Sequence, residues 1–93
     1  MLVKHIESEN KGAFIAEEDG KKIGEMTYSK AGPGKIIIDH TEVDSEEKGK
    51  GIGSVLLNKA VEFARDKGMK ILPLCPFAKA QFDRDVNIRD VLF

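Results

Sequence analysis

The residues Lys48-Gly49-Lys50-Gly51-Ile52-Gly53-Ser54 put three glycines at alternate positions beside two lysines. Glycine adopts positive φ readily and, without a Cβ, lets a ligand approach the backbone. Where such a loop opens a helix, free N–H groups stand at the positive end of the helix dipole and suit phosphate oxygens. Lys48 and Lys50 add charge beside them. The chemistry implied is the holding of a phosphorylated cofactor. The spacing is neither Gly-x4-Gly-Lys-Ser/Thr nor Gly-x-Gly-x-x-Gly, so two common nucleotide loops are excluded. On the residues alone, a strand-to-helix turn whose glycines only relieve strain stays open as the other reading.

Two further residues can react. Cys75 is the sole cysteine and directly precedes Pro76, a residue suited to the first turn of a helix. A helix N-terminus favours a thiolate, the nucleophilic form of cysteine. His40 follows an apolar run, and an imidazole near the thiol exchanges protons with it. The competing reading makes Cys75 a small buried hydrophobe and His40 a surface residue. His5 reads as structural, and Phe77 and Phe82 as core packing. The acidic runs Glu17-Glu18-Asp19 and Glu46-Glu47 read as solvated turns. With one cysteine and no close histidine cluster, no metal site is expected.

These residues need elements to position them. Leu2 to Glu7, Gly12 to Glu18, Lys22 to Ser29 and Lys35 to Val43 read as four strands. Asp19-Gly20 and Ala31-Gly32-Pro33-Gly34 mark tight turns between them. Short turns imply an antiparallel meander. Val55, Leu56, Ala60, Val61, Phe63 and Ala64 fall at helical spacing, so a helix from about Gly51 to Lys67 follows, stopped by Gly68. Met69 to Cys75 is a fifth strand. A strand–helix–strand crossover makes strands four and five parallel. Pro73 cannot donate a ladder hydrogen bond, so it marks an edge or a break in pairing. A second helix runs from Pro76 to about Asp85. Val91-Leu92-Phe93 is expected to cover an apolar edge. Ligands of such units sit beyond the carboxyl ends of the parallel strands, where His40 and Cys75 both fall. The fold class expected is α+β over one domain, residues 1–93.

Composition narrows the functions. Fifteen basic and sixteen acidic residues nearly cancel, which argues against a dedicated nucleic-acid binder. The apolar runs are too short to span a bilayer, and the first residues carry no secretory pattern. One cysteine excludes an internal disulfide framework. A cytoplasmic protein, monomeric or weakly dimeric and without a membrane partner, is the expectation.

The run Lys48-Gly49-Lys50-Gly51-Ile52-Gly53 resembles the Gln/Arg-x-x-Gly-x-Gly/Ala motif of GNAT-like N-acetyltransferases. His40-Thr41-Glu42-Val43 and Leu74-Cys75-Pro76-Phe77-Ala78-Lys79 extend the resemblance to a small, minimal subfamily. The likeness runs from Lys35 to Asp85. It implies acetyl-coenzyme A or coenzyme A as cosubstrate, with no metal. It implies pantetheine between splayed strands four and five, bonded to backbone near Glu42 and Val43. It implies pyrophosphate held by Lys48, Gly49, Lys50, Gly51, Ile52, Gly53 and Ser54. In the small subfamily, the position of Cys75 is implied to accept the acetyl group or assist its transfer, with His40 as base or thiolate partner. Lys48 stands where Gln or Arg is commoner, which keeps the charge and loses the planar donor fork. Phe77 stands where larger members often carry an acidic tyrosine. Two acceptor-binding helices of those members are missing between strands one and two.

The function implied is acetyl transfer to an unidentified, small-molecule or protein amine. A coenzyme-binding module or sensor without turnover is the alternative, favoured by the missing helices.

Overall fold

Alternating buried and exposed side chains build the sheet. The protein is described by a computed structural model covering residues 1–93. Its strands are β1 (Leu2–Glu7), β2 (Lys11–Glu18), β3 (Lys21–Lys30), β4 (Lys35–Val43) and β5 (Lys70–Pro73). Its helices are α1 (Ile52–Lys67) and α2 (Pro76–Arg84), with 3-10 turns at Ser45–Glu47 and Val86–Val91. The sheet order is β1-β2-β3-β4-β5. The first four strands pair antiparallel and β4 pairs parallel with β5. At the β2–β3 turn, Asp19 and Gly20 take φ of 51° and 80°. Two positive φ values in a two-residue loop match the twist of the flanking strands.

Helix α1 closes the crossover by burying one stripe, Ile52, Gly53, Leu56, Leu57, Ala60, Val61 and Ala64. The stripe follows the helical period and packs against β2, β3, β4 and β5. Gly68, at φ 66°, ends the helix and donates its N–H to Ala64 and Arg65 carbonyls. The core joins this stripe to Phe14, Met26, Tyr28, Ile36, Ile38 and Ile71 from the sheet, and to Ala78, Phe82, Ile88 and Val91 beyond it.

Two irregularities shape β4. Thr27 faces His40, yet Tyr28 faces Ile38, so Asp39 is an extra residue on β4. Such a bulge bends its strand and changes which face later residues occupy. Further on, β4–β5 pairing ends at Ile38 and Pro73. The fifth strand is therefore shorter than the expected Met69 to Cys75, because Pro73 has no N–H to carry the ladder onward. The C-terminal segment covers the edge of β5 as expected. Leu92 bridges Ile71, and the Phe93 N–H donates to the Ile71 carbonyl at 2.9 Å. Arg65 anchors that segment by donating to both Asp90 carboxylate oxygens, at 2.8 and 2.7 Å.

His5 is structural, as expected. Its ring stacks on Phe14 at 4.2 Å, and its Nε2 lies 2.6 Å from the Tyr28 hydroxyl. Burial, the largest cause, lowers the His5 pKa; Glu7 opposes it, and Lys30 adds a smaller lowering. Burial, assisted by Glu7, pushes the Tyr28 pKa up to about 12, so the phenol stays protonated. The folded state thus prefers neutral His5. Its contribution is complete above the unfolded value of about 6.5 and is lost as pH falls through the lowered folded value. The unfolding temperature of the unaltered protein should therefore drop more between pH 7.5 and 5 than that of His5→Gln. Parallel pH curves for the two proteins would remove His5 as the sensitive group.

Candidate functional site

A cleft of about 290 Å³ opens where β4 and β5 diverge. The divergence has a clear cause. The Ile38 carbonyl accepts both the Leu74 N–H at 3.0 Å and the Cys75 N–H at 3.1 Å. Past that point the chain turns into α2, and no strand pairs with the β5-facing edge of β4 from Thr41 to Val43. An extended ligand bearing amides can pair with such an edge as a strand would. Thr41 and Val43 line the cleft on this side.

The opposite wall is the start of α1. Gly51 precedes the helix at φ 77° and caps it with no side chain. The backbone N–H groups of Ile52, Gly53 and Ser54 have no acceptor within the chain. The first turn carries no acidic residue. Three donors at a positive helix end make a receptor for a diphosphate. Gly49 and Lys48 complete this wall. Lys48 makes no ion pair, whereas Lys50 Nζ lies 3.2 Å from the Glu47 carboxylate. Glu47 itself lines the cleft and its side chain is only 19% exposed. Its expected role as a solvated turn residue is thus corrected. Its tie to Lys50 draws it out of solvent and offsets its charge beside the donors.

Cys75 caps α2, accepting the Ala78 N–H on Sγ at 3.3 Å. It is 4% exposed, and its Sγ lies 3.2 Å from Thr41 Oγ1. The thiol therefore sits behind Thr41, which separates it from the cleft. His40 is not its neighbour. By strand register His40 shares the outer sheet face with Thr27, while Thr41 shares the inner face with Met26. The His40 side chain is 65% exposed and lies 3.8 Å from the Glu42 carboxylate.

Of the residues expected to hold a cofactor, Val43, Lys48, Gly49, Gly51, Ile52, Gly53 and Ser54 come together around the cleft. Glu42 points outward toward His40, so only its backbone belongs to the open strand edge. Lys50, between the lining residues Gly49 and Gly51, does not itself line the cleft. Sequence reasoning missed Thr41, Glu47 and Phe77 as lining residues. Phe77 read as core packing; it is half-buried and contributes its ring to the cleft. Thr41 was detectable in principle, since it lies two positions before Val43 on the same strand face. No group of three or more His, Cys, Asp or Glu is arranged to hold a metal. No helix is long and apolar enough to cross a membrane.

Comparison with known proteins agrees with this geometry. The family of GCN5-related N-acetyl-transferases matches residues 13–91. Streptothricin acetyltransferase A of Bacillus subtilis is 32% identical over 66 residues, covering 71% of this chain and 38% of that protein. The chain thus spans well under half of that relative's length. A GCN5-like protein of Staphylococcus aureus, solved by NMR, superposes with a TM-score of 0.72 at 34% identity. That match covers 97% of this chain and 87% of the other. A Bacillus anthracis protein solved in complex with acetyl coenzyme A shares the fold, with a TM-score of 0.66 at 23% identity. It is matched over 86% of this chain and 48% of that one.

The loop geometry gives a test. A Cβ at Gly51 would meet no atom within 4 Å, so any cost of substitution comes from its positive φ. Left-handed backbone costs a side-chain-bearing residue about 1–2 kcal/mol, least for Asn. Gly51→Val is expected to fold with a lower unfolding temperature and to lose about tenfold or more in coenzyme A affinity by calorimetry. Gly51→Asn should retain most of both. Equal affinity for the Val variant and the unaltered protein would reduce the loop to a simple turn.

Proposed function

The chain belongs to the GCN5-related N-acetyltransferase family, and from that membership we propose that it transfers an acetyl group from acetyl-CoA to an amine. The observation that carries this reading is the row of acceptor-free N–H groups at Ile52, Gly53 and Ser54, beside the open edge of β4. Acetyl-CoA supplies an activated acetyl thioester. In this reading Gly49, Gly51 and the three donors hold the pyrophosphate, and Lys48 adds charge. The backbone at Glu42 and Val43 pairs with the pantetheine amides, and the 93 residues act as one unit. The name of the Bacillus subtilis relative makes a small molecule the first acceptor to try.

The proposed chemistry runs through Cys75. Its sulfur attacks the acetyl carbonyl, an acetyl–Sγ bond forms, and the C–S bond to coenzyme A breaks. The thiol proton leaves with the departing coenzyme A sulfur. An amine then attacks the acetyl group, a C–N bond forms, the acetyl–Sγ bond breaks, and the proton the amine loses passes by way of solvent to the departing Sγ, which regains its thiol. His40 is proposed to take up the amine proton only through solvent, because its exposed ring lies on the outer face of the sheet, out of direct reach of the buried thiol. Thr41 must turn aside or relay the proton, since its hydroxyl lies between cleft and sulfur. That same burial favours a second reading, a coenzyme-binding module in which Cys75 only caps α2.

Mass spectrometry after incubation with acetyl-CoA separates the two. Transfer through Cys75 predicts an acetyl mass on its peptide, absent in Cys75→Ala, which should still bind coenzyme A. His40→Ala should leave this labelling intact and slow its discharge to an added amine. No label and no acetylation of any amine, with binding preserved, would establish the binding module. Lys48→Ala should weaken coenzyme A a few-fold at low salt, and Lys50→Ala less, since Glu47 already engages Lys50. Equal effects would mean that the ion pair opens on binding.

A further inference from the structure

Gly53 and Gly51 are both glycine, for different physical reasons. Gly51 needs its positive φ. Gly53 is the second residue of α1 and has no such need. A Cβ at Gly53 would instead lie 2.7 Å from Phe77 Cζ and 3.0 and 3.2 Å from its two Cε atoms. The rim of the Phe77 ring therefore rests on the α1 backbone where a methyl group would stand. Real Cβ contacts essentially never fall under 3.0 Å, so ring or helix would have to move. Phe77 is itself the second residue of α2. The two helix starts thus abut through one aromatic ring. That ring lines the cleft with Thr41 and Val43, whereas the diphosphate donors are the N–H groups of the first turn of α1, Gly53 among them.

We propose that Phe77, seated on Gly53, is a positioning residue that sets the width of the cleft and holds the acyl-bearing arm of the ligand against β4. This rests on the acetyl-CoA reading and adds to it. The ring carries no group that titrates or donates a proton. Its contribution is steric and dispersive, and it falls on the arm rather than on the phosphates. Gly53 contributes by leaving room for the ring. Widening the cleft at Phe77 should spare the phosphate end, and crowding Gly53 should act only while the ring is present.

Calorimetry with two probes tests this. One is coenzyme A; the other is 3′-phosphoadenosine 5′-diphosphate, which keeps the phosphates and lacks the arm. Phe77→Ala should weaken coenzyme A about tenfold or more and change the arm-less probe less than twofold. Phe77→Leu should recover part of the loss. Gly53→Ala should weaken coenzyme A, and adding it to Phe77→Ala should cost little more. Equal loss for both probes, an unchanged Phe77→Ala, or additive effects in the double variant would overturn the inference. If Gly53→Ala fails to fold, the Ala and Leu variants of Phe77 still decide it. If the unaltered protein binds neither probe, the acetyl-CoA reading fails and the inference falls with it. Binding of coenzyme A that ignores Phe77 refutes the inference alone.

Discussion

One carbonyl organises the functional half of this molecule. Ile38 accepts two N–H groups, from Leu74 and Cys75, at the point where β5 gives out. A single acceptor for two consecutive donors turns the chain sharply. That turn ends the parallel ladder, starts α2 at Pro76 and leaves the next residues of β4 without a strand partner. Pro73 contributes by having no donor to extend the ladder. The cleft, the capping position of Cys75 and the seat of Phe77 all follow from that turn. Apolar packing of Ile36, Ile38 and Ile71 beneath it holds the two strands together up to the fork.

Much of this was legible in the sequence, because each feature has a local cause. The four-strand meander follows from turn residues, and the crossover from helical spacing in 55–64. The break at Pro73 follows from its missing N–H. What could not be read was the consequence of one extra residue. Alternation from Ile36 and Ile38 carries His40 to the inner face, toward Cys75. The bulge at Asp39 inverts the alternation and brings Thr41 inward instead. Nothing in the composition of 35–43 announces it. Asp39 makes sense there only once Thr27 and Ser29 are seen to donate to its carboxylate, at 2.5 and 3.0 Å. Those partners lie on β3, ten and twelve residues away in sequence. The site's glycines were legible as a group, but their separate causes were not. A positive φ at Gly51 is a backbone property, whereas the need at Gly53 depends on a ring from another helix.

Charge around the cleft is balanced locally rather than globally. Glu47, partly buried on the wall, would repel a phosphate if unpaired. Lys50 lies against it and offsets that field, which leaves Lys48 as the unengaged cation of the loop. The favourable potential for an anion then comes mainly from fixed backbone dipoles. These keep their orientation whether or not a ligand is present, so little reorganisation accompanies binding. A near-neutral chain can thus hold a polyanionic ligand without a basic surface.

The helix ends show where stability has been given up. Helix α1 finishes well, with Gly68 satisfying two carbonyls, yet it begins with no side-chain cap and no acidic residue. Helix α2 begins on a cysteine sulfur, a weaker acceptor than the oxygen of Ser, Thr, Asn or Asp preferred at that position. An N-cap oxygen contributes about 1 kcal/mol, which the start of α2 forgoes; at α1 the positive φ of Gly51 leaves no such substitution open. Both weak starts border the same cleft, while the other ends are satisfied by the chain. Local rules broken together at one place mark a functional site rather than careless packing. A ligand that binds the folded state returns stability by mass action. In the proposed reading, the donors left open at Ile52, Gly53 and Ser54 are the groups through which that return is made.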